Sequence, residues 1–241
     1  MEDNNQDKEL SEWVETPDSS CLLSNNFPTL QSLAGVGEVW VITLPDPVTE
    51  AQSGETNSNR CMLLNAERQK IFLVHQEFDS EPKVYAQDKG YVMHLYDRCE
   101  QEVIRMTRPY KFCTGFCWCA SINHCSVHID VEAPVGQLIG TVKQSVSYWY
   151  PAFDVIGADG RKLFHIPIST DLTAVIRIYR VREHSASSAG TLSRDIRYPK
   201  ITLTLPGDLD VKNKALLLGA TFLIQLSRGL VRETPLWYFD D

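Results

Sequence analysis

The stretch Ala215-Leu216-Leu217-Leu218-Gly219-Ala220-Thr221-Phe222-Leu223-Ile224 is apolar on every face of the helix it would form. It sits in a longer segment, Leu209–Leu226, that interrupts a chain otherwise written as short strands. Asp208 can cap the start, and Gly229 suits the position just past the end. A helix that is apolar all round must be buried by protein or by lipid. Length separates the two. The uncharged run Ala215–Leu226 has twelve residues, reaching roughly 18 Å at ~1.5 Å per residue. A hydrocarbon core is about 30 Å thick and needs about 20 apolar residues. Lys212 and Lys214 bound the run on one side, Arg228 and Arg232 on the other. The lysines could snorkel, but the fit stays poor. The segment, placed at about 209–228, reads as a helix enclosed by its own protein.

Working back from it, the chain is a series of strand signals separated by turns. Glu38–Leu44, Cys61–Asn65, Gln69–His75, Tyr91–Asp97 and Glu102–Thr107 are apolar and rich in β-branched or aromatic residues. Ser126–Glu132 alternates: Val127, Ile129 and Val131 on one face, Ser126, His128, Asp130 and Glu132 on the other. A period of two is a half-buried strand. Gln137–Lys143 follows the Pro134/Gly136 turn. Ala152–Ile156 and Arg161–Ile166 flank Asp159-Gly160, a hairpin signal. Leu172–Val181, Thr191–Arg194 and Ile201–Leu205 complete about twelve candidates. Ser185–Ser188 reads as a flexible loop. The spacing predicts a mainly β sandwich or barrel.

Charge bounds the partners. The net charge is −8, of which residues 1–18 carry −6. The body is therefore nearly neutral. It gives no electrostatic case for nucleic acid and none for strong attraction to anionic lipid. Residues 1–27 read as a disordered acidic lead, and residues 231–241 as a C-terminal tail. The start lacks an apolar signal region, and the seven cysteines are an odd number. A reduced, cytosolic setting is expected. Neither a nucleophile elbow nor a phosphate-binding loop occurs in this sequence.

Cys113, Cys117, Cys119 and Cys125 lie within thirteen positions, interleaved with Phe112, Phe116 and Trp118. Three readings are open. Acylation would anchor an aromatic-flanked loop. Zinc could use the thiols with His124 or His128, although the spacing lacks a two-residue knuckle. Idle or buried thiols are the third. His75, His94 and His165 fall in strands and read as core or surface residues. The runs 148–150 and 236–239 are aromatic and suit either an interface or packing.

Several landmarks, in order, resemble the phospholipid scramblase family. They are Asn65 with Gln69-Lys70-Ile71-Phe72, Glu102-Val103-Ile104 with Arg108-Pro109, Ala133-Pro134 with Gly136, Ile139-Gly140 and Val142, and finally Asp208–Lys212, Lys214-Ala215, Gly219-Ala220 and Phe222-Leu223-Ile224. The resemblance runs from about Pro28 to about Arg228. It implies a closed, roughly twelve-stranded tubby-like β-barrel around a central C-terminal helix, occupying residues 28–230. It also implies ATP-independent, bidirectional movement of membrane phospholipids, with the protein held at the cytosolic face of the plasma membrane by palmitate on Cys113, Cys117, Cys119 and Cys125. The alternative is a lipid-anchored interaction scaffold with protein partners and no intrinsic scrambling.

The family's calcium segment corresponds to residues 197–208. Here its early positions are basic or apolar, and of its carboxylates only Asp208 remains. Calcium takes six to eight oxygen ligands, several of them anionic. Asp208 beside Arg197 and Lys200 does not supply them, and Asp195 does not restore the number. Ca2+ binding is expected to be weak or lost. The stretch Leu192–Asp195 also lacks the lysines of a nuclear import signal.

Overall fold

The chain forms an up-and-down meander that closes on itself. The computed structural model describes residues 12–14, 28–44, 60–78, 90–111, 126–145, 152–168, 175–182, 185–194 and 200–231. A 3₁₀ helix, Pro28–Leu33, precedes the strands β1 (Glu38–Thr43), β2 (Arg60–Leu64), β3 (Lys70–Phe78), β4 (Tyr91–Tyr96), β5 (Glu102–Arg108) and β6 (His128–Glu132). Then follow β7 (Leu138–Ser145), β8 (Ala152–Gly157), β9 (Lys162–Pro167), β10 (Ile176–Arg182), β11 (Ser185–Arg194), β12 (Lys200–Thr204) and the helix α1 (Val211–Val231). Each strand pairs antiparallel with its sequence neighbours, and β1 pairs with β12. Closure leaves no open sheet edge.

The alternation read in Ser126–Glu132 is the rule that builds the core. Val127, Ile129 and Val131 are buried, while His128, Asp130 and Glu132 stand on the outer wall. Inward residues of all twelve strands join α1 in one apolar cluster. Every helical residue from Lys214 to Ile224 is buried. The helix therefore fills the barrel, as its length and all-round apolarity require. It packs against β6, β7 and β8, and two glycines set the closeness of that approach. A methyl on Gly219 would stand 2.7 Å from Val131 Cγ2, and one on Gly140 would stand 2.9 Å from Leu216 Cδ2.

Four connections at the end where α1 begins, here the near end, share one construction. Asn65, Asp97, Ala133 and Gly157 each donate a backbone N–H to the carbonyl four residues on, at 2.9–3.0 Å. The fourth residue of each turn has positive φ: Arg68 (63°), Glu100 (57°), Gly136 (90°) and Gly160 (79°). A tight turn completed by one left-handed residue matches the right-handed twist of hairpin strands. At the far end the intervening stretches lie outside the described residues.

Four details differ from the sequence reading. Ser185–Ser188, expected as a loop, pairs with β10 as the start of β11, because a closing sheet supplies partners that polar composition does not reveal. Glu12–Val14, expected within a disordered lead, bonds to Lys70 on β3: Lys70 N–H donates to Glu12 O at 2.9 Å and Val14 N–H to Lys70 O at 3.0 Å. The helix starts two residues later than expected. Asp210, not Asp208, caps it, accepting from the backbone N–H of Lys212 at 3.1 Å, and the helix continues through Gly229 to Val231. Cys99, in the β4–β5 turn, is disulfide-bonded, which departs from the expected reduced thiols.

Candidate functional site

A cleft of about 360 Å³ opens at the near end between β9, β10 and the turn that leads into α1. Leu163, Phe164, Val181 and Leu209 are its apolar lining, and Arg180, Asp208, Asp210 and Asn213 its polar one. Register explains how Arg180 arrives there: it stands opposite Phe164, a core residue, near the near end of β10. Asp208 is exposed in the pre-helix turn. Its charge favours the protonated form of Lys214, opposing the burial that pushes that lysine's pKa down.

This arrangement does not fit calcium. Of the two carboxylates, Asp210 is engaged at the helix N-terminus. A guanidinium lines the same cleft, whereas calcium takes six to eight oxygen ligands, several of them anionic. Among the described residues no group of three or more His, Cys, Asp or Glu is placed to hold a metal ion. Asp195 and residues 197–199 lie outside the described residues. Lys200 is turned to another use, with its ammonium 4.1 Å from the centroid of the Trp40 ring.

Cys113, Cys117, Cys119, Cys125 and His124 also lie outside the described residues. They fall in sequence between Lys111 and Ser126. His128 is on the outer wall, and burial lowers its pKa. Of the strand histidines, two are tied to carboxylates across neighbouring strands. His94 Nδ1 is 2.6 Å from Glu102 Oε1, and His165 Nδ1 is 2.6 Å from Asp154 Oδ1. Glu102 also accepts twice from Arg105, at 2.8 and 2.7 Å, and that pairing holds its carboxyl below the usual range.

The residue that sequence reading missed is Lys214. It does not snorkel: it is fully buried, and its ammonium donates to the carbonyls of Leu33 (3.1 Å), Val36 (2.8 Å) and Gly207 (3.3 Å). Its only sequence signal is a charge standing next to a wholly apolar helical run.

A sequence model of the Scramblase family matches residues 20–227, the whole of the barrel and most of α1. The chain belongs to the scramblase family. Among its relatives, phospholipid scramblase 4 of Homo sapiens is 25% identical over 214 residues, covering 84% of this chain and 64% of that protein. Phospholipid scramblase 2 of Bos taurus is 25% identical over 195 residues, covering 73% and 64%. The chain thus spans just under two thirds of the length of these scramblases. A crystal structure of an Arabidopsis thaliana protein superposes with a TM-score of 0.47 and 13% identity, covering 81% of this chain and 96% of that one.

Proposed function

We propose that this scramblase-family protein works at the cytosolic face of the plasma membrane, promoting ATP-independent movement of phospholipids in both directions between leaflets, without calcium control. The observation that carries this reading is the family match across the entire barrel. The sequence holds no phosphate-binding loop to couple movement to a nucleotide, so flow would follow the gradient either way. Acylation of Cys113, Cys117, Cys119 and Cys125 would supply the anchor. Two acyl chains hold a protein firmly at a bilayer.

The barrel bounds how such movement could proceed. Its lumen is filled by α1, so a headgroup has no lumenal route. Its outer wall carries His94, Glu102, Arg105, Asp130, Lys143 and Asp154, the reverse of the apolar band that faces lipid in membrane barrels. Among the described residues no helix is long and apolar enough to cross a membrane. The barrier is passage of a polar headgroup through hydrocarbon. Local perturbation of the bilayer by the anchored protein is the route these features leave.

The filled lumen favours one second reading, a lipid-anchored scaffold that binds protein partners and moves no lipid. Purified protein reconstituted in liposomes with dye-labelled phospholipid separates the two. Exposure of inner-leaflet dye to an external quencher, equally with calcium or with chelator and without ATP, is the expected result. Full protection of the inner leaflet by membrane-bound protein would leave the scaffold reading.

A further inference from the structure

Two histidines face each other on the outer wall of the barrel. His75 on β3 stands directly opposite His94 on β4. Residues paired in this way across antiparallel strands have Cβ atoms about 4.5–5.5 Å apart. Glu77, two residues beyond His75, shares the same face of β3, because side chains two apart on a strand point the same way. Both His75 and Glu77 are exposed. Two imidazoles and a carboxylate therefore occupy one patch of adjacent strands.

The ring of His94 is already set for a ligand. Its Nδ1 is 2.6 Å from Glu102 Oε1. Glu102 also pairs with Arg105, which holds its carboxyl in the ionised, acceptor-only form. Nδ1 therefore carries the proton and donates, and Nε2 is left with its lone pair outward. A carboxylate behind one ring nitrogen is the usual support of a histidine that binds metal through the other. The Tyr96 ring, stacked with centroids 6.3 Å apart, steadies the same orientation.

The spacing in front of Nε2 is informative. Glu77 Oε2 lies 3.5 Å away, longer than an N–H···O bond of about 2.7–3.2 Å. Two ligands bound about 2.1 Å from a tetrahedral zinc stand about 3.4 Å from each other. His94 and Glu77 are thus at ligand spacing with nothing between them. Only these two stand so in the present side-chain conformations, and no three-ligand group is preformed among the described residues. His75 supplies the third by turning its exposed ring, a motion of picoseconds to nanoseconds for surface side chains. By register the flanking cations are Arg60, opposite His75, and Arg105, opposite His94. Glu77 and Glu102 match them in number, so the patch does not repel a divalent ion by net charge.

We propose that His75, Glu77 and His94 form a surface zinc site on β3 and β4, with Glu102 as the positioning residue behind His94. Two neutral imidazoles and one carboxylate suit Zn2+ in a four-coordinate site whose remaining position is taken by water. The site stands independently of the phospholipid reading above.

Calorimetric titration of the chelator-treated full chain with zinc chloride tests it, after accessible thiols have been alkylated so that cysteines do not compete. One equivalent binding with micromolar or tighter Kd is expected, together with a rise in Tm. His75→Gln, Glu77→Gln and His94→Gln should each weaken binding about tenfold or more. Glu102→Gln should weaken it about tenfold by releasing the ring, in the range found for groups that orient metal ligands. His75 and Glu77 are exposed, so their variants should fold, as far-UV circular dichroism would verify. Absence of zinc binding to the parent chain, or undiminished affinity in any folded variant of the three ligands, would overturn the proposal. No lipid transport is measured, so failure here is distinguishable from failure of transbilayer movement.

Discussion

The ammonium of Lys214 donates to the carbonyl oxygen of Val36 at 2.8 Å, joining positions 178 residues apart. With the bonds to Leu33 and Gly207 it pins the first turns of α1 to the 3₁₀ helix and to the pre-helix turn. The pin closes the near end of a barrel whose interior is otherwise apolar beside it. Lys214→Met keeps the stem and removes the charge, but it leaves three carbonyls to find other donors. Charged hydrogen bonds contribute about 1.5–3 kcal/mol each, offset here by the relief of burying a charge. We expect a loss of about 3 kcal/mol in urea unfolding with an unchanged m value. A change under about 1 kcal/mol would show that the carbonyls are satisfied without the lysine.

Glu100 adopts φ 57° in a turn whose counterparts at the same position include Gly136 and Gly160. A side chain in the left-handed region costs about 1–2 kcal/mol, whereas glycine enters it freely but loses more entropy on folding. The net effect of Glu100→Gly is a gain of about 0.5–1 kcal/mol. It is read as a rise in the denaturation midpoint, with Glu67→Gly, one residue before the left-handed position of its own turn, as a control that should not gain.

How far the fold could be read from the chain follows from periodicity. Each strand candidate has a counterpart in the barrel, because alternation such as Val127, Ile129, Val131 reports burial directly. The helix was legible because Ala215–Ile224 has no polar face to put toward water. Pairings that depend on closure were not legible. Ser185–Ser188 has no apolar period and becomes a strand only because β10 is there to receive it. The sites were harder. Lys214 and Arg108 look like surface charges in sequence, and only the enclosure of α1 for the one and strand register for the other show that they point inward. Nothing local distinguishes Asp208 from Asp210 as the cap, since both precede the helical run.

Calcium should leave the protein's stability unchanged. A ligand that binds the native state at one hundred times its Kd raises stability by about 2.7 kcal/mol. The Asp208 cleft offers too few free anionic oxygens beside Arg180 to produce such an effect. We expect the same Tm in 1 mM (roughly physiological extracellular) calcium and in chelator, because linkage demands a shift only where binding occurs. A clear rise, abolished by Asp208→Asn, would restore a calcium site at this turn.

His128 should make the barrel less stable as pH falls. Burial lowers its pKa from 6.5, outweighing the attraction of Asp130, while Lys111 and Lys143 add to the lowering. In the unfolded chain the same imidazole titrates near 6.5. Between the lowered folded value and 6.5 the unfolded state binds more protons, so stability rises with pH across that window. Below the folded value the penalty is complete, and above 6.5 it is gone. His128→Asn removes the titration and should flatten the dependence of unfolding free energy on pH in this window. An unchanged slope would assign it to other groups.

Gly140 on β7 is where backbone and helix come closest. A methyl there would press into the carbonyl oxygen of Ile156 on β8 and stand 2.9 and 3.1 Å from the two terminal carbons of Leu216. Leu216 can adjust its rotamer, but the β8 backbone is held by the ladder in which Gly140 itself pairs with Gly157. Overpacking of this kind costs typically 1–3 kcal/mol, and a backbone contact lies at the upper end. Gly140→Ala is therefore expected to lose about 3 kcal/mol. The comparison that isolates the cause is Gly37→Ala, where the added methyl meets nothing nearer than Leu205 O at 3.6 Å. That variant should stay within about 0.5 kcal/mol of the parent, the range of an unobstructed substitution. Equal losses in the two would mean that the cost lies in replacing a glycine as such; a loss confined to Gly140 locates it in the seam between β7, β8 and α1.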